Sequence, residues 1–181
     1  MDLHDFLASA AETTRRKGPH DRIVMSSRVR LARNIKDASF PGWAKKPERV
    51  RILELLMPAV ESLPDMADSF AEAMDNLSAL DKQILVERHL ISREHAAKSA
   101  GSGLVLNRDE TFCVMINEED HLRMQALRPG LQLRQAWTAI DRLDSGLERK
   151  LSYAFSNDWG YLTACPTNLG TGIRVSAMLH L

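Results

Sequence analysis

The chain has 181 residues, 44% hydrophobic and 27% charged, with 24 basic residues balanced by 24 acidic ones. That length suits one domain able to bury roughly 70% of its unfolded surface, and the neutral balance excludes nucleic-acid binding through a basic field. Two cysteines make no disulfide framework, no Cys/His spacing fits a zinc site, and no apolar run is long enough for a membrane span or a signal peptide.

Residues 3–16 carry Leu3, Leu7 and Ala10 at helical spacing, and Gly18 with Pro19 ends that helical extension, residues 1–19. Residues 23–34, IVMSSRVRLARN, read as a strand with Met25, Val29 and Leu31 on one face and Arg28 and Arg30 on the other. Two parallel arginines are either half of an anion clamp or the solvated side of an edge strand. Phe40, Pro41, Gly42 and Trp43 mark a loop. Pro47 fits the first turn of a helix reaching about Leu63, with Val50, Leu53, Leu56 and Val60 as its apolar stripe. Pro58 inside that stripe predicts a kink or an early stop.

Residues 65–77 are ambiguous. Ser78 reads as the N-cap of a helix over 79–90, and His89 near its end as a surface residue complementing the helix dipole. Residues 92–102 are small and polar, a loop or a frayed helix. Residues 103–106 and 111–116 form a hairpin around the turn 107–110. Its second strand, TFCVMI, is apolar on both faces and belongs in the sheet centre. It delivers Glu118, Glu119 and Asp120 to the sheet rim, either as a charged turn or as a site. A helix over 131–151 turns Leu133, Trp137, Ile140 and Leu147 inward.

Residues 160–174, GYLTACPTNLGTGIR, are the other informative stretch. A short strand over 161–164 stops at Cys165 because Pro166 cannot donate to a ladder, which leaves the thiol at the rim. Thr167 is close enough to donate a hydrogen bond to a thiolate and favour its charged form. Gly170 and Gly172 allow backbone N–H groups to approach an anion, and Arg174 adds a forked cation. A buried structural cysteine beside an ordinary glycine turn is the alternative. Residues 174–181 make a final strand with Val175, Ala177, Leu179 and Leu181 alternating, an exposed apolar edge if no strand covers it.

Taken together, strand arginines, an acidic strand end and a Cys-Gly-Arg loop are the parts needed to move a phosphoryl group onto a guanidinium. SSRVR at 26–30, NEEDHLR at 117–123 and CPTNLGTGIR at 165–174 resemble the ATP:guanido phosphotransferases, the family of creatine kinase and arginine kinase. The resemblance implies an α/β (α+β) fold, a mostly antiparallel sheet flanked by helices, here as a single partial catalytic domain over 1–181 whose sheet continues beyond the last residue. It implies Glu119 as acceptor-binding carboxylate and base and Cys165 as the reactive cysteine, tuned by Thr167. It also implies Ser27, Arg28, Arg30, His89, Arg123 and Arg174 as nucleotide ligands, with Mg2+ carried on ATP and no protein metal site.

The LARN that follows SSRVR, with about 25 residues before it where small-molecule guanidino kinases have a helical domain, is similar to the bacterial protein-arginine kinase branch. The implied activity is phosphorylation of arginines in proteins, marking them for a Clp protease, with an activator protein, a homodimeric parent and a cytoplasmic setting. A small-molecule guanidino kinase and an inactive phosphoarginine- or partner-binding module are the alternatives. Residues 1–181 alone are expected to bind nucleotide weakly and turn over negligibly.

Overall fold

Alternating apolar and polar residues produce the strand β1 (Val24–Arg33), and its position governs the architecture. The computed structural model describes residues 17–180, so the helix expected over 3–16 lies outside the described residues. After β1 come α1 (Lys46–Glu61), a 3₁₀ turn (Pro64–Met66), β2 (Phe70–Ala73), α2 (Ala79–Glu87) and α3 (Arg93–Ala96). The strands β3 (Gly103–Leu106), β4 (Phe112–Ile116) and β5 (Leu122–Pro129) precede α4 (Leu133–Glu148). A two-stranded hairpin, β6 (Phe155–Ser156) with β7 (Gly160–Tyr161), and the last strand β8 (Ile173–Leu179) complete the order. Six strands form one sheet in the order β2-β3-β4-β5-β1-β8, every neighbouring pair antiparallel.

The two faces of that sheet are covered unequally. On one, Val29, Leu31, Val114, Ile116 and Met124 pack against Ile52, Leu56 and Val60 of α1 and Ile140, Leu143 and Leu147 of α4. On the other, Leu104, Leu106, Cys113 and Met115 lie beneath Leu85 of α2 and the following Leu90 and Ile91. No residue of β1 or β8 belongs to this second core, so the face carrying Arg28 and Arg30 stays open beside it. β1 is bounded by β5 and β8, which removes the edge-strand reading of its arginines.

The expected elements recur with physical corrections. Ser78 caps α2 with its hydroxyl accepting from Asp81 N while the Asp81 side chain accepts from Ser78 N, a reciprocal box. That helix stops at Glu87 rather than residue 90, because Arg88 leaves helical geometry and His89 takes a left-handed φ of 59°. Helix α1 passes Pro58 and runs to Glu61. Pro58 and Glu54 both face solvent, so water can satisfy the carbonyl that the missing N–H abandons. Ile52 takes the buried place assigned to Val50.

Met25 is 48% exposed, because a bulge between Val24 and Ser26 shifts the pairing register with β8. Trp137 is also exposed, lying about 100° around α4 from the stripe through Ala136, Ile140, Leu143 and Leu147. The ambiguous stretch after residue 65 supplies the edge strand β2, and the polar stretch after 92 holds the single turn α3. β4 is buried along its whole length, as its two apolar faces require.

His95 on α3 is fully buried, 2.9 Å from the carbonyl of Gly103 through Nε2. Burial outweighs that hydrogen bond and pushes its pKa down to about 4 from 6.5. Between those values the unfolded chain binds a proton that the folded imidazole refuses. Stability is therefore complete above the unfolded value and falls as pH drops toward the folded one. Urea unfolding between pH 7 and pH 4.5 should give a declining midpoint, and His95→Gln, which keeps a donor for Gly103, should flatten part of that slope. An identical slope in the variant would refute this origin.

Candidate active site

The open half of the second sheet face is a field of arginines. Strand register pairs Arg30 with Arg174 on β8 and with Gln125 on β5. Arg123, two residues from Gln125, emerges on the same face. Arg28 lies one step further along β1, its Nε 3.4 Å from Ser176 Oγ. Burial first, then repulsion from Arg28, Arg123 and Arg174, lowers the Arg30 pKa to about 10. Burial and the charges of Arg123 and Arg174 lower Arg28 in the same direction. The buried Nε of Arg30 has no hydrogen-bond partner among the described residues. Crowded, half-desolvated guanidiniums with a spare inward donor suit an anion of several charges.

The three consecutive acids have three different fates. Asn117 adopts a left-handed φ of 57°, which asparagine tolerates, and its N–H closes a tight turn on the carbonyl of His121. Glu118 turns inward and accepts from Arg123 Nη1 at 2.7 Å through both oxygens and from Ser92 Oγ at 2.6 Å. Burial would raise its pKa, but those donors overturn the effect and hold it below the ordinary carboxylate value. Asp120 also turns inward, its Oδ1 accepting from Asn34 Nδ2 at 2.6 Å and from Ala164 N at 2.7 Å. Glu119 alone of the three stays exposed. Partial burial, then the neighbouring Asp120 and Glu118 charges, raise its pKa.

Asp120 therefore ties the acid turn to the cysteine loop. That loop is less regular than expected, since β7 ends at Tyr161 and residues 162–164 form no strand. Leu162 N bonds the carbonyl of Ala154, and Ala164 N is taken by Asp120, so the backbone donors leave the ladder. Cys165 is half-buried, with Sγ 3.0 Å from Thr167 Oγ1, and Thr163 Oγ1 donates to the Cys165 carbonyl at 2.8 Å. Downstream, Gly172 has φ +68°, and a Cβ there would meet the Ala32 carbonyl oxygen at 2.5 Å. Arg33 secures the same segment. Its guanidinium donates to the Thr171 carbonyl, bonds Asp144 and stacks 3.6 Å over the ring of Tyr161.

These elements enclose a cavity of about 660 Å³. Arg30, Arg123 and Arg174 contribute to its wall together with Glu118, Glu119 and Ala164, the neighbour of Cys165. Arg28, His89 and Cys165 lie outside that lining. His89 is exposed, and its carbonyl is held by Gln125 Nε2. Ser27, expected as a nucleotide ligand, is placed away from the arginines. It is fully buried on the side of β1 opposite the arginines, where Oγ donates to Gly130 O at 2.7 Å and accepts from Gln132 N at 2.9 Å. Its hydroxyl fixes the start of α4. Reading the sequence missed Ser92, Asn34, Arg33 and Trp43 as parts of the site or its supports. The LARN letters held two of them and the acid run held Asp120, but neither gave a direction.

Residues 52–181 match the family model described as ATP:guanido phosphotransferase, C-terminal catalytic domain. The protein-arginine kinase of Halothermothrix orenii is 47% identical across 91% of this chain and 47% of its own length. That of Bacillus pumilus is 42% identical across 100% of this chain and 50% of its own. The chain spans about half the length of the curated relatives it matches. The duplicated taurocyamine kinase of Schistosoma mansoni, with bound transition state analog components, superposes with a TM-score of 0.84 at 22% identity, over 98% of this chain and 28% of that one. A lombricine kinase gives 0.76 at 21% identity, over 99% and 57%. At those identities the likeness is one of fold.

Asp120→Ala would leave the Ala164 N–H and one of the two Asn34 amide N–H donors unpaired, the other still bonding the Leu162 carbonyl, at about 1–3 kcal/mol for a buried unpaired donor. Its specific signature should be loosening of the cysteine loop. Thiol labelling of the folded protein should accelerate severalfold at Cys165, while Cys113, fully buried with its pKa raised to about 12, stays unlabelled. Unchanged Cys165 labelling would show that Asp120 does not hold the loop.

Proposed function

The chain belongs to the ATP:guanido phosphotransferases, and from that premise we propose that it transfers the terminal phosphoryl group of ATP to arginine side chains of proteins. The observation that carries this reading is one cavity with Glu119 on its wall beside Arg30, Arg123 and Arg174. Names of relatives at 42–47% identity support arginine in proteins as acceptor.

In this reading the arginine cluster binds the nucleotide's phosphates, and the orphaned Arg30 Nε gains an oxygen partner. Glu119 accepts hydrogen bonds from the acceptor guanidinium in fork geometry. An acceptor nitrogen attacks the terminal phosphorus, the bond from phosphorus to the ADP oxygen breaks, and the nitrogen's proton passes to the Glu119 carboxylate. A raised Glu119 pKa makes it a better base than an ordinary surface carboxylate. Cys165, beside the cavity-lining Ala164, flanks the acceptor. Mg2+ would arrive on ATP and neutralise phosphate charge there. Marking of proteins for a Clp protease, an activator protein, a homodimeric parent and a cytoplasmic setting extend the proposal. Among the described residues no helix is long and apolar enough to cross a membrane.

Incubation with Mg-ATP and an arginine-rich protein, followed by mass spectrometry for acid-labile phosphate, tests the reaction. Phosphate on hydroxyl residues instead of arginine would sink it. Glu119→Gln keeps the shape but loses the charge, so transfer should disappear while ATP affinity stays within a few-fold. Retention of a tenth of the parent's turnover would remove Glu119 from the role.

Arg30→Ala should weaken ATP binding about tenfold or more, the scale of one charge-assisted hydrogen bond, and should also slow transfer. Calorimetry with unchanged ATP affinity would count against the clamp.

A further inference from the structure

Trp43 is 90% exposed, yet it sits in an anchored turn and contributes to the wall of the cavity that holds Glu119. Isolated exposed apolar residues are ordinary on protein surfaces. This one differs in how its turn is secured. Trp43 N and Ala44 N both bond the Phe40 carbonyl, and Arg49 Nη1 donates to the Ala44 carbonyl at 2.7 Å. His121 Nδ1 accepts from Ile35 N at 3.0 Å and Nε2 donates to Ser39 O at 3.1 Å, with the Phe40 ring edge-on at 6.3 Å. His121 lies two residues beyond Glu119, so the turn bearing Trp43 is braced on the acid turn rather than on the arginine strands. Glu94 of α3 lines the same cavity.

We propose that Trp43, with Glu94, forms the rim on which the polypeptide around an acceptor arginine docks, so that the site prefers a peptide over a free guanidine. This rests on the reading of arginine in proteins as acceptor. A guanidinium held at Glu119 leaves its aliphatic stem and flanking backbone to cross the mouth of the cavity, where a flat indole offers a large surface with little rotamer freedom to lose. Such contact is tolerant of sequence, because stem and backbone are common to every arginine segment. Glu94 adds a carboxylate beside the approaching cation. Because the indole is 90% exposed, its removal leaves no internal cavity, and Trp43→Ala should fold normally.

The test reads binding, not transfer. Replacing Trp137 and Trp159 with Phe leaves Trp43 as the only indole. A glycine-flanked arginine peptide should shift its emission saturably, and Mg-ATP alone should not. By anisotropy of the labelled peptide, Trp43→Ala should raise its Kd about tenfold, Trp43→Phe should recover most of that, and Glu94→Gln should raise it about threefold. Competition by methylguanidine against the labelled peptide should give the same methylguanidine Kd, within twofold, with and without the indole. A peptide Kd within twofold of the parent in Trp43→Ala, or emission that responds to Mg-ATP and not to peptide, would overturn the inference. Peptide binding that depends on Trp43 without any phosphoarginine would instead uphold the dock and defeat the transferase reading.

Discussion

Repulsion among guanidiniums on one open sheet face is the constraint around which the structure is arranged. Arg28, Arg30, Arg123 and Arg174 are placed there by strand register, and burial with mutual repulsion lowers the pKa of the two on β1. The ion pair the cluster makes among the described residues is that of Arg123 with Glu118. One carboxylate does not neutralise four cations. The arrangement persists because β1 is held on both sides by antiparallel ladders and from behind by the main core. Hydrophobic burial on one face keeps charge concentrated on the other.

A second network makes that concentration usable. Asn34 at the end of β1, Asp120 in the acid turn and Ala164 in the cysteine loop share one set of buried hydrogen bonds. His121 extends it to the turn bearing Phe40 and Trp43. Three separate segments are thereby referenced to one turn of five residues. Buried polar networks of this kind tolerate little change, because each lost partner strands another group. Arg33 does similar work on the far side of the cysteine loop, joining β1, α4 and the glycine turn through Asp144, Thr171 and Tyr161.

The edge strand β8 shows the other consequence of unequal cover. Val175, Met178 and Leu179 are exposed there, near Ile23 and Met25 at the start of β1. Arg174 stands on this strand, so the edge and the anion face are mechanically one unit.

Much of this was legible in the letters. Period-two alternation marked β1 and separated its arginines from Val29 and Leu31; a doubly apolar run marked β4 as central; Ser78 marked a helix start. These are local signals, set by the geometry of a strand or a helix turn. The family motifs likewise named Glu119, Arg123, Cys165 and Arg174. The sequence could not say that three adjacent acids would divide their labour, with Glu118 on an arginine, Asp120 on two amides and Glu119 facing the cavity. Nor could it say that Ser27 would bond α4 while Arg28 faced the open side, that a bulge would expose Met25, or that Trp43 would stand beside Glu119. Those outcomes depend on which distant donor meets each side chain, and that pairing exists only once the sheet has closed and brought residues 34, 120 and 164 together.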